Sequence, residues 1–322
     1  MSEALKILLT NPIHADARAL LEPLAELVLA PDTQPDTLKR LVRDADGLIV
    51  RAQLPADIFD DAPRLRGVVR HGVGLDMIPV TAASARRIPV ANVPGSNTSA
   101  VVEYALAAMM ALRRPLARMD TLLRGEGWAQ ARALADPAQE IDGAVCGIVG
   151  LGAIGSQLAR KAAALGMQVI GATPRPESLP DGVQHAELPA LLAAADVVVL
   201  CCPLTEQTRG LIDAQALARM PPHAVLINVA RGPIVDVQAL AQALHAGRLG
   251  GAALDVHAVQ PLPADSALFD CPNLLLTPHV AGITATSMRN MSLGAAEQMA
   301  AILRGERPRH LVNPDIFDKA SA

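Results

Sequence analysis

The sequence predicts an α/β protein made of two doubly wound parallel-sheet units, and three observations carry that prediction. Short apolar runs alternate with helical patterns along most of the 322 residues, the signature of parallel strands joined by crossover helices. A glycine turn, Gly150-Leu151-Gly152-Ala153-Ile154-Gly155, stands between an apolar run and an Ala- and Leu-rich stretch. The residues with distinctive chemistry follow the ends of predicted strands, where open parallel sheets present their ligand sites.

Composition narrows the class. The chain is long enough for two cores, and 51% apolar with 19% charged residues is ordinary for a soluble enzyme. A net charge of -4 and a pI near 6.1 give no reason to expect nucleic acid or an anionic membrane as partner. No apolar stretch approaches the roughly 18 residues that span a bilayer, and the start, Met1 to Lys6, lacks the pattern of a signal peptide. A cytoplasmic location is expected. Cys146, Cys201, Cys202 and Cys271 show no C-x-x-C spacing and read as small buried hydrophobes in a reducing compartment. No metal site is expected.

In chain order, strands are predicted at Lys6–Thr10, Leu27–Ala30, Gly47–Val50, Gly67–Arg70 and Val90–Asn92, with helices such as Ala15–Leu24 and Thr37–Ala45 between them. Arg51 and the run His71-Gly72-Val73-Gly74 follow two of these strands and are candidates for one wall of a cleft. Thr98 to Arg113 is apolar nearly all round, which predicts a helix buried by neighbours on several sides, between domains or between subunits. Trp128 follows in a looser stretch, where packing is its expected role. Six strands are then predicted, from Ala144–Val149 through Gln168–Ala172, Val197–Cys201, Val225–Val229 and Ala252–Val256 to Leu274–Thr277. A last helix, Ala285 to about Arg304, returns the chain to the first domain, and Asn313-Pro314 opens a terminal extension.

A strand, glycine turn and helix in succession put a pyrophosphate on helix N-terminal amides, so Gly150 to Gly155 is read as a dinucleotide site. Arg231, in Asn228-Val229-Ala230-Arg231-Gly232-Pro233, can fork onto a carboxylate or a carbonyl oxygen. His279, in Thr277-Pro278-His279-Val280-Ala281-Gly282, is the side-chain type suited to proton exchange near neutral pH. A nicotinamide site with an arginine and a histidine is what interconversion of a 2-oxo acid and a 2-hydroxy acid requires.

These segments resemble the D-isomer-specific 2-hydroxyacid dehydrogenases over nearly the whole chain. The resemblance rests on Arg70-His71-Gly72-Val73-Gly74-Leu75-Asp76, the glycine turn, Cys202-Pro203-Leu204-Thr205 with Thr208, Asn228 to Gly232, Leu254-Asp255-Val256, and Thr277 to Gly282. It implies a Rossmann dinucleotide domain (residues 96–285) inserted in a flavodoxin-like substrate domain (residues 1–95 and 286–322), with the active site in the cleft and a homodimer as the assembly. It implies Arg231 as the substrate arginine and His279 as acid/base. It places Gly150, Gly152, Ala153, Ile154, Gly155, Cys202, Pro203, Thr208, Val229, Ala230, Asp255, His279 and Gly282 around the cofactor. The amides at Val73 and Gly74 would take the substrate carboxylate. His71 is a further candidate for touching substrate, whereas His223, His245 and His257 read as structural. For Asp255 a local role, capping backbone amides, stays open.

The sequence departs from the family twice. The glutamate usually paired with the catalytic histidine is here Gln260, in Val259-Gln260-Pro261. A carboxylate stabilises imidazolium and a neutral amide does not, so keto-acid reduction is expected to favour a lower pH than is usual for the family. Asp265 is a candidate substitute carboxylate. Second, Thr173 stands where NAD-binding chains carry an acid for the ribose 2′-hydroxyl, and Arg175 follows. A carboxylate would repel a 2′-phosphate, which threonine and arginine can bind, so NADP(H) is favoured over NAD(H).

The expected substrate is a small 2-oxo or 2-hydroxy acid of the glyoxylate or hydroxypyruvate type. If Arg51 and Arg70 reach the cleft, a doubly anionic acid of the phosphoglycerate or sulfolactate type, with NAD, is the alternative. A non-catalytic dinucleotide sensor, like the corepressors that share this fold, is the rival from another class. Gln260 keeps it open, and Arg231 with His279 argues against it.

Overall fold

The computed structural model describes residues 4–60 and 62–318. Met1 to Glu3, part of the stretch in which no signal peptide was found, lie outside the described residues, as do residues 319–322 of the terminal extension. The chain divides into two compact units, residues 1–97 with 283–322, and residues 98–282.

The first unit runs β1 (Lys6–Leu9), α1 (Ala15–Leu21), β2 (Glu26–Leu29), α2 (Pro35–Val42), β3 (Gly47–Val50), β4 (Gly67–Arg70), α3 (Val80–Ala85) and β5 (Val90–Ala91). The second contains α4 (Thr98–Arg113), α5 (Leu116–Gly125), α6 (Trp128–Ala133), β6 (Val145–Val149), α7 (Ala153–Ala164), β7 (Gln168–Ala172), β8 (Gln184–His185), α8 (Leu188–Ala194), β9 (Val197–Leu200), α9 (Ala214–Arg219), β10 (Val225–Asn228), α10 (Val237–His245), β11 (Gly251–Leu254) and β12 (Leu274–Leu276). The chain then returns to the first unit through α11 (Ala285–Leu303) and α12 (Asp315–Asp318).

The first sheet is all parallel in the order β2-β1-β3-β4-β5, the flavodoxin-like order. Its strands are too apolar to leave a face in water, and successive residues serve opposite layers. Ile7, Leu9, Ile49 and Val69 pack with α1 and α11, while Leu8, Leu48, Val50 and Val68 pack with residues of α2 and with Ile58 and Phe59. Asn313 is a structural tie: it is buried, its Oδ1 accepts from Val90 N–H at 2.8 Å, and its Nδ2 donates to Ile88 O and Ser84 Oγ. The extension predicted to begin there is therefore anchored at its first residue.

The second sheet is also parallel, in the order β12-β11-β10-β9-β6-β7-β8, the Rossmann arrangement with one strand added beyond β11. Cys146, Ile148, Val197, Val199 and Ile227 face α4 and α7, and Val198, Leu200, Leu226 and Leu254 face α8, α9 and α10. Helix α4 buries Ala105, Met109 and Leu112 but leaves Met110 40% exposed, so it is not covered all round.

Three expectations fail here. The strand β8 was not predicted; it is two exposed polar residues with no apolar alternation to betray it. The looser stretch is two helices, α5 and α6, whose residues are almost all exposed. Trp128 is 77% exposed and packs into no core. The cysteines are free thiols whose pKa burial raises, that of Cys146 to about 12. No described helix is long and apolar enough to cross a membrane.

Candidate active site

Every strand of the second sheet points its carboxyl end to one edge, and the candidate residues follow those ends. At Gly150 the backbone turns with φ +94°, and a Cβ there would lie 2.6 Å from Cys202 N. A side chain is impossible because the segment after β9 crosses at that point. Gly155 backs onto the Gly150 carbonyl, which closes the helix against the turn. Gly152 caps α7 without a side chain. The first-turn amides, those of Ala153, Ile154 and Gly155, thus get no cap from the N-cap residue, and a helix start in that state suits an anion. These residues fit a dinucleotide pyrophosphate.

After β7, Thr173 is half-buried and Arg175 exposed. Thr173 Oγ1 accepts from Arg175 N–H at 3.3 Å, and Ser178 Oγ donates to Arg175 O at 2.9 Å. The turn therefore presents a guanidinium with no ion pair among the described residues, although Glu177 stands exposed two positions on. Cys202 and Pro203 follow β9. Thr208 folds its own turn, its hydroxyl donating to Pro203 O at 2.7 Å and accepting from Thr205 N–H at 2.7 Å.

The segment after β10 is stapled by Asn228, which has 0% exposure. Its Oδ1 accepts from Ala230 N–H and its Nδ2 donates to Arg231 O, both at 3.0 Å. Arg231 Nη1 donates to Ala230 O at 2.7 Å. A Cβ on Gly232 would collide with the backbone of His257 and Ala258, so glycine lets the Arg231 turn lie against the loop that carries Gln260. Sequence reasoning gave Asn228 no role; a polar residue closing the buried run Val225 to Asn228 was the available signal.

The turn after β12 is the most heavily bonded. Asp255 is 1% exposed, and its Oδ1 accepts from Thr277 Oγ1 and Val280 N–H, each at 2.7 Å. Its Oδ2 accepts from Ala281 N–H at 2.9 Å. Of the two roles open for Asp255, the local one is what the structure displays: both oxygens clamp the turn. His279 sits inside the clamp at φ +57°, its N–H shared between Asp255 O (2.8 Å) and Thr277 O (3.1 Å). Gln260 Oε1 lies 3.1 Å from His279 Nδ1, while Gln260 Nε2 donates to His257 O at 3.2 Å. That second bond sets which end of the amide faces the ring, so Nδ1 is the donor of the contact with Oε1. Gln260, not Asp265, faces the ring. Gly282 follows as the last residue of the unit.

The other candidates lie in the first unit. The carbonyls of Gly72 and Val73 accept from Val93 N–H and Asn92 Nδ2, each at 2.9 Å. In trans peptides the N–H points opposite the carbonyl, so the Val73 and Gly74 amides are turned away from that segment, as an anion site needs. Arg70 donates to Gly74 O, Val50 O and His71 O within the unit. His71 is 2% exposed, with Nε2 2.8 Å from Ser292 Oγ. Burial, with Arg51 and Arg70 nearby, lowers its pKa to about 4, so it is neutral at pH 7. Arg51 is half-buried, and burial lowers its pKa. The three histidines read as structural have partners in their own unit: His223 pairs with Asp196 at 2.7 Å, His245 lies 3.8 Å from Cys271, and His257 Nε2 donates to Thr277 O at 3.0 Å.

Residues 106–281 match the family model for the NAD binding domain of D-isomer specific 2-hydroxyacid dehydrogenases. A glyoxylate reductase of Korarchaeum cryptofilum is 34% identical over 320 residues, which is 97% of this chain and 96% of that protein. A D-3-phosphoglycerate dehydrogenase of Methanocaldococcus jannaschii is 34% identical over 314 residues, but this chain spans 59% of that protein's length. Among solved structures, the NADPH-dependent glyoxylate/hydroxypyruvate reductase of Sinorhizobium meliloti, in complex with NADP and malonate, aligns with a TM-score of 0.83 at 30% identity, covering 96% of this chain and 97% of that one.

Proposed function

The chain belongs to the D-isomer-specific 2-hydroxyacid dehydrogenase family, and we propose that within it the protein reduces a small 2-oxo acid of the glyoxylate or hydroxypyruvate type, with NADP(H) favoured over NAD(H). The observation that carries this reading is the His279 turn, where a clamped backbone and the Gln260 amide fix the imidazole through Nδ1. Bound nicotinamide dinucleotide would supply the hydride. Arg231 would hold the substrate carboxylate and polarise its carbonyl, helped by the amides of Val73 and Gly74. Imidazolium at His279 would give its Nε2 proton to the carbonyl oxygen and return to the Nδ1–H form that Gln260 accepts. Thr173 and Arg175 support the NADP preference, since neither repels a 2′-phosphate. The reading includes a homodimer, supported by Leu116, Leu123 and Trp128, which are 65%, 46% and 77% exposed; sedimentation velocity reads it directly.

One observation favours a second reading. The half-buried Arg51 guanidinium has no acidic partner among the described residues, a costly state for a cation unless a ligand supplies the counter-charge. A doubly anionic acid, phosphorylated or sulfonated, would supply it. The test is a panel of singly and doubly anionic 2-oxo acids with NADPH and with NADH, followed by nicotinamide absorbance. Preferred turnover of glyoxylate or hydroxypyruvate with NADPH is expected. Preference for a doubly charged acid, with KM raised about tenfold or more by Arg51→Ala, would install the second reading. Cofactor binding with no turnover would make the protein a dinucleotide sensor.

A further inference from the structure

We propose that Tyr104, the single tyrosine of the chain, is a positioning residue for His279, acting through Thr277 and Asp255. The inference rests on His279 as the acid/base of the reading above. Its ground is a chain of hydrogen bonds whose direction can be worked out. As a carboxylate Asp255 is acceptor-only, and its oxygens also take Val280 N–H on Oδ1 and Ala281 N–H on Oδ2. The 2.7 Å contact between Thr277 Oγ1 and Asp255 Oδ1 must then use the threonine's only hydroxyl proton. Tyr104 Oη lies 2.7 Å from the same Oγ1. With that proton committed, the tyrosine has to be the donor. The sense is Tyr104 to Thr277 to Asp255.

Two features make this more than a buried hydroxyl finding a partner. Tyr104 sits on α4, a 16-residue helix packed on α7, β10 and β11. The phenol is thus fixed by a rigid element and not by the loop it serves. The loop, in turn, needs outside support: His279 holds a left-handed backbone, which costs a non-glycine residue roughly 1 kcal/mol or more and persists where the surroundings over-determine it. The Asp255 clamp supplies that constraint, and the Tyr104 bond sets the Thr277 rotamer that completes the clamp. Burial raises the pKa of Tyr104, which keeps the donor protonated at neutral pH. Were the ring simple core filling, phenylalanine would serve as well.

Steady-state kinetics of Tyr104→Phe, Thr277→Val, Thr277→Ser and the Tyr104→Phe/Thr277→Val pair, with the imidazole NMR resonances of His279 assigned through His279→Gln, tests this. Tyr104→Phe should lower kcat about fivefold to tenfold and leave KM for NADPH within about twofold. Thr277→Val should cost more, and Thr277→Ser should restore activity. The double variant should be no worse than Thr277→Val alone, because the tyrosine acts only through the threonine. The His279 ring resonances should shift or broaden in Tyr104→Phe with unchanged melting temperature. That reading needs no turnover, so it decides the matter even if the proposed reaction fails. Unchanged kcat and ring resonances in Tyr104→Phe, or effects that simply add in the pair, would overturn the inference.

Discussion

Two turns on the same edge of the second sheet are built by opposite means. The Gly150 turn is made of missing side chains: two of its glycines are where backbone passes too close for a Cβ, and the third leaves a helix start bare. The His279 turn is made of filled valences. Asp255, Thr277 and Gln260 each hold at least one bond that shapes it. The first turn offers donors to whatever ligand arrives. The second has used its donors internally to fix one imidazole. A binding turn is spoiled by adding an atom, and a chemical turn by removing a charge.

That contrast can be broken by experiment, and the largest effect is expected on the glycine side. Gly155→Val would push a side chain into the Gly150 carbonyl and separate turn from helix. NADPH affinity by fluorescence titration should fall about 100-fold or more, with circular dichroism confirming the fold. Asp255→Asn keeps the shape of the clamp but turns an NH2 toward one of its three donors. A buried mismatch of that kind costs about 1–3 kcal/mol, so kcat should fall roughly 10- to 100-fold and the melting temperature should drop. The division between the turns predicts that NADPH affinity then stays within about threefold. Loss of NADPH binding in Asp255→Asn equal to that in Gly155→Val would erase the distinction.

The same contrast explains what could be read from the sequence. The glycine turn is local: strand, turn and helix lie within about twenty residues, and glycines are visible as letters. The strand–helix rhythm is local too, and both sheets follow from it together with the rule that ligands gather at carboxyl ends. The His279 clamp depends on pairs distant in sequence, Thr277 with Tyr104 at a separation of 173 and with Asp255 at 22. Nothing in the letters of Thr98 to Arg113 marks Tyr104 as different from its apolar neighbours. Asn313 escaped for the same reason, since it acts on the backbone of Ile88 and Val90, which only the fold brings near; Asn228 acts two and three residues on, and was open to a local reading. Arg70 and His71 show the converse. They stand at a strand end, where the letters suggest a ligand wall, and their bonds inside the unit, to three carbonyls and to Ser292, were not legible there. Helix α5 does carry apolar residues at helical spacing, Leu116, Met119 and Leu123, but its own unit buries none of them, so the stretch read as looser chain although the period was there.

The smallest expected effect is also the sharpest on the chemical turn. Gln260 orients the His279 ring without lending it charge. Reduction consumes a proton from imidazolium, so the rate should fall as pH rises through the histidine's titration. Gln260→Glu would place a carboxylate where the amide oxygen now lies 3.1 Å from Nδ1, and a negative charge at that distance stabilises imidazolium. The falling limb of the reduction profile should therefore move to higher pH, by about one unit. Oxidation of the 2-hydroxy acid, which needs the neutral ring, should begin at correspondingly higher pH. The two side chains have the same length, but glutamate loses the bond that Gln260 Nε2 donates to His257 O. At the optimum kcat should therefore fall by no more than a few-fold, about the worth of one exposed hydrogen bond, and NADPH affinity should change little. Superimposable pH profiles for wild type and Gln260→Glu would mean that the residue beside Nδ1 sets orientation alone, and the chemical turn would then depend on its filled valences without any electrostatic share from position 260.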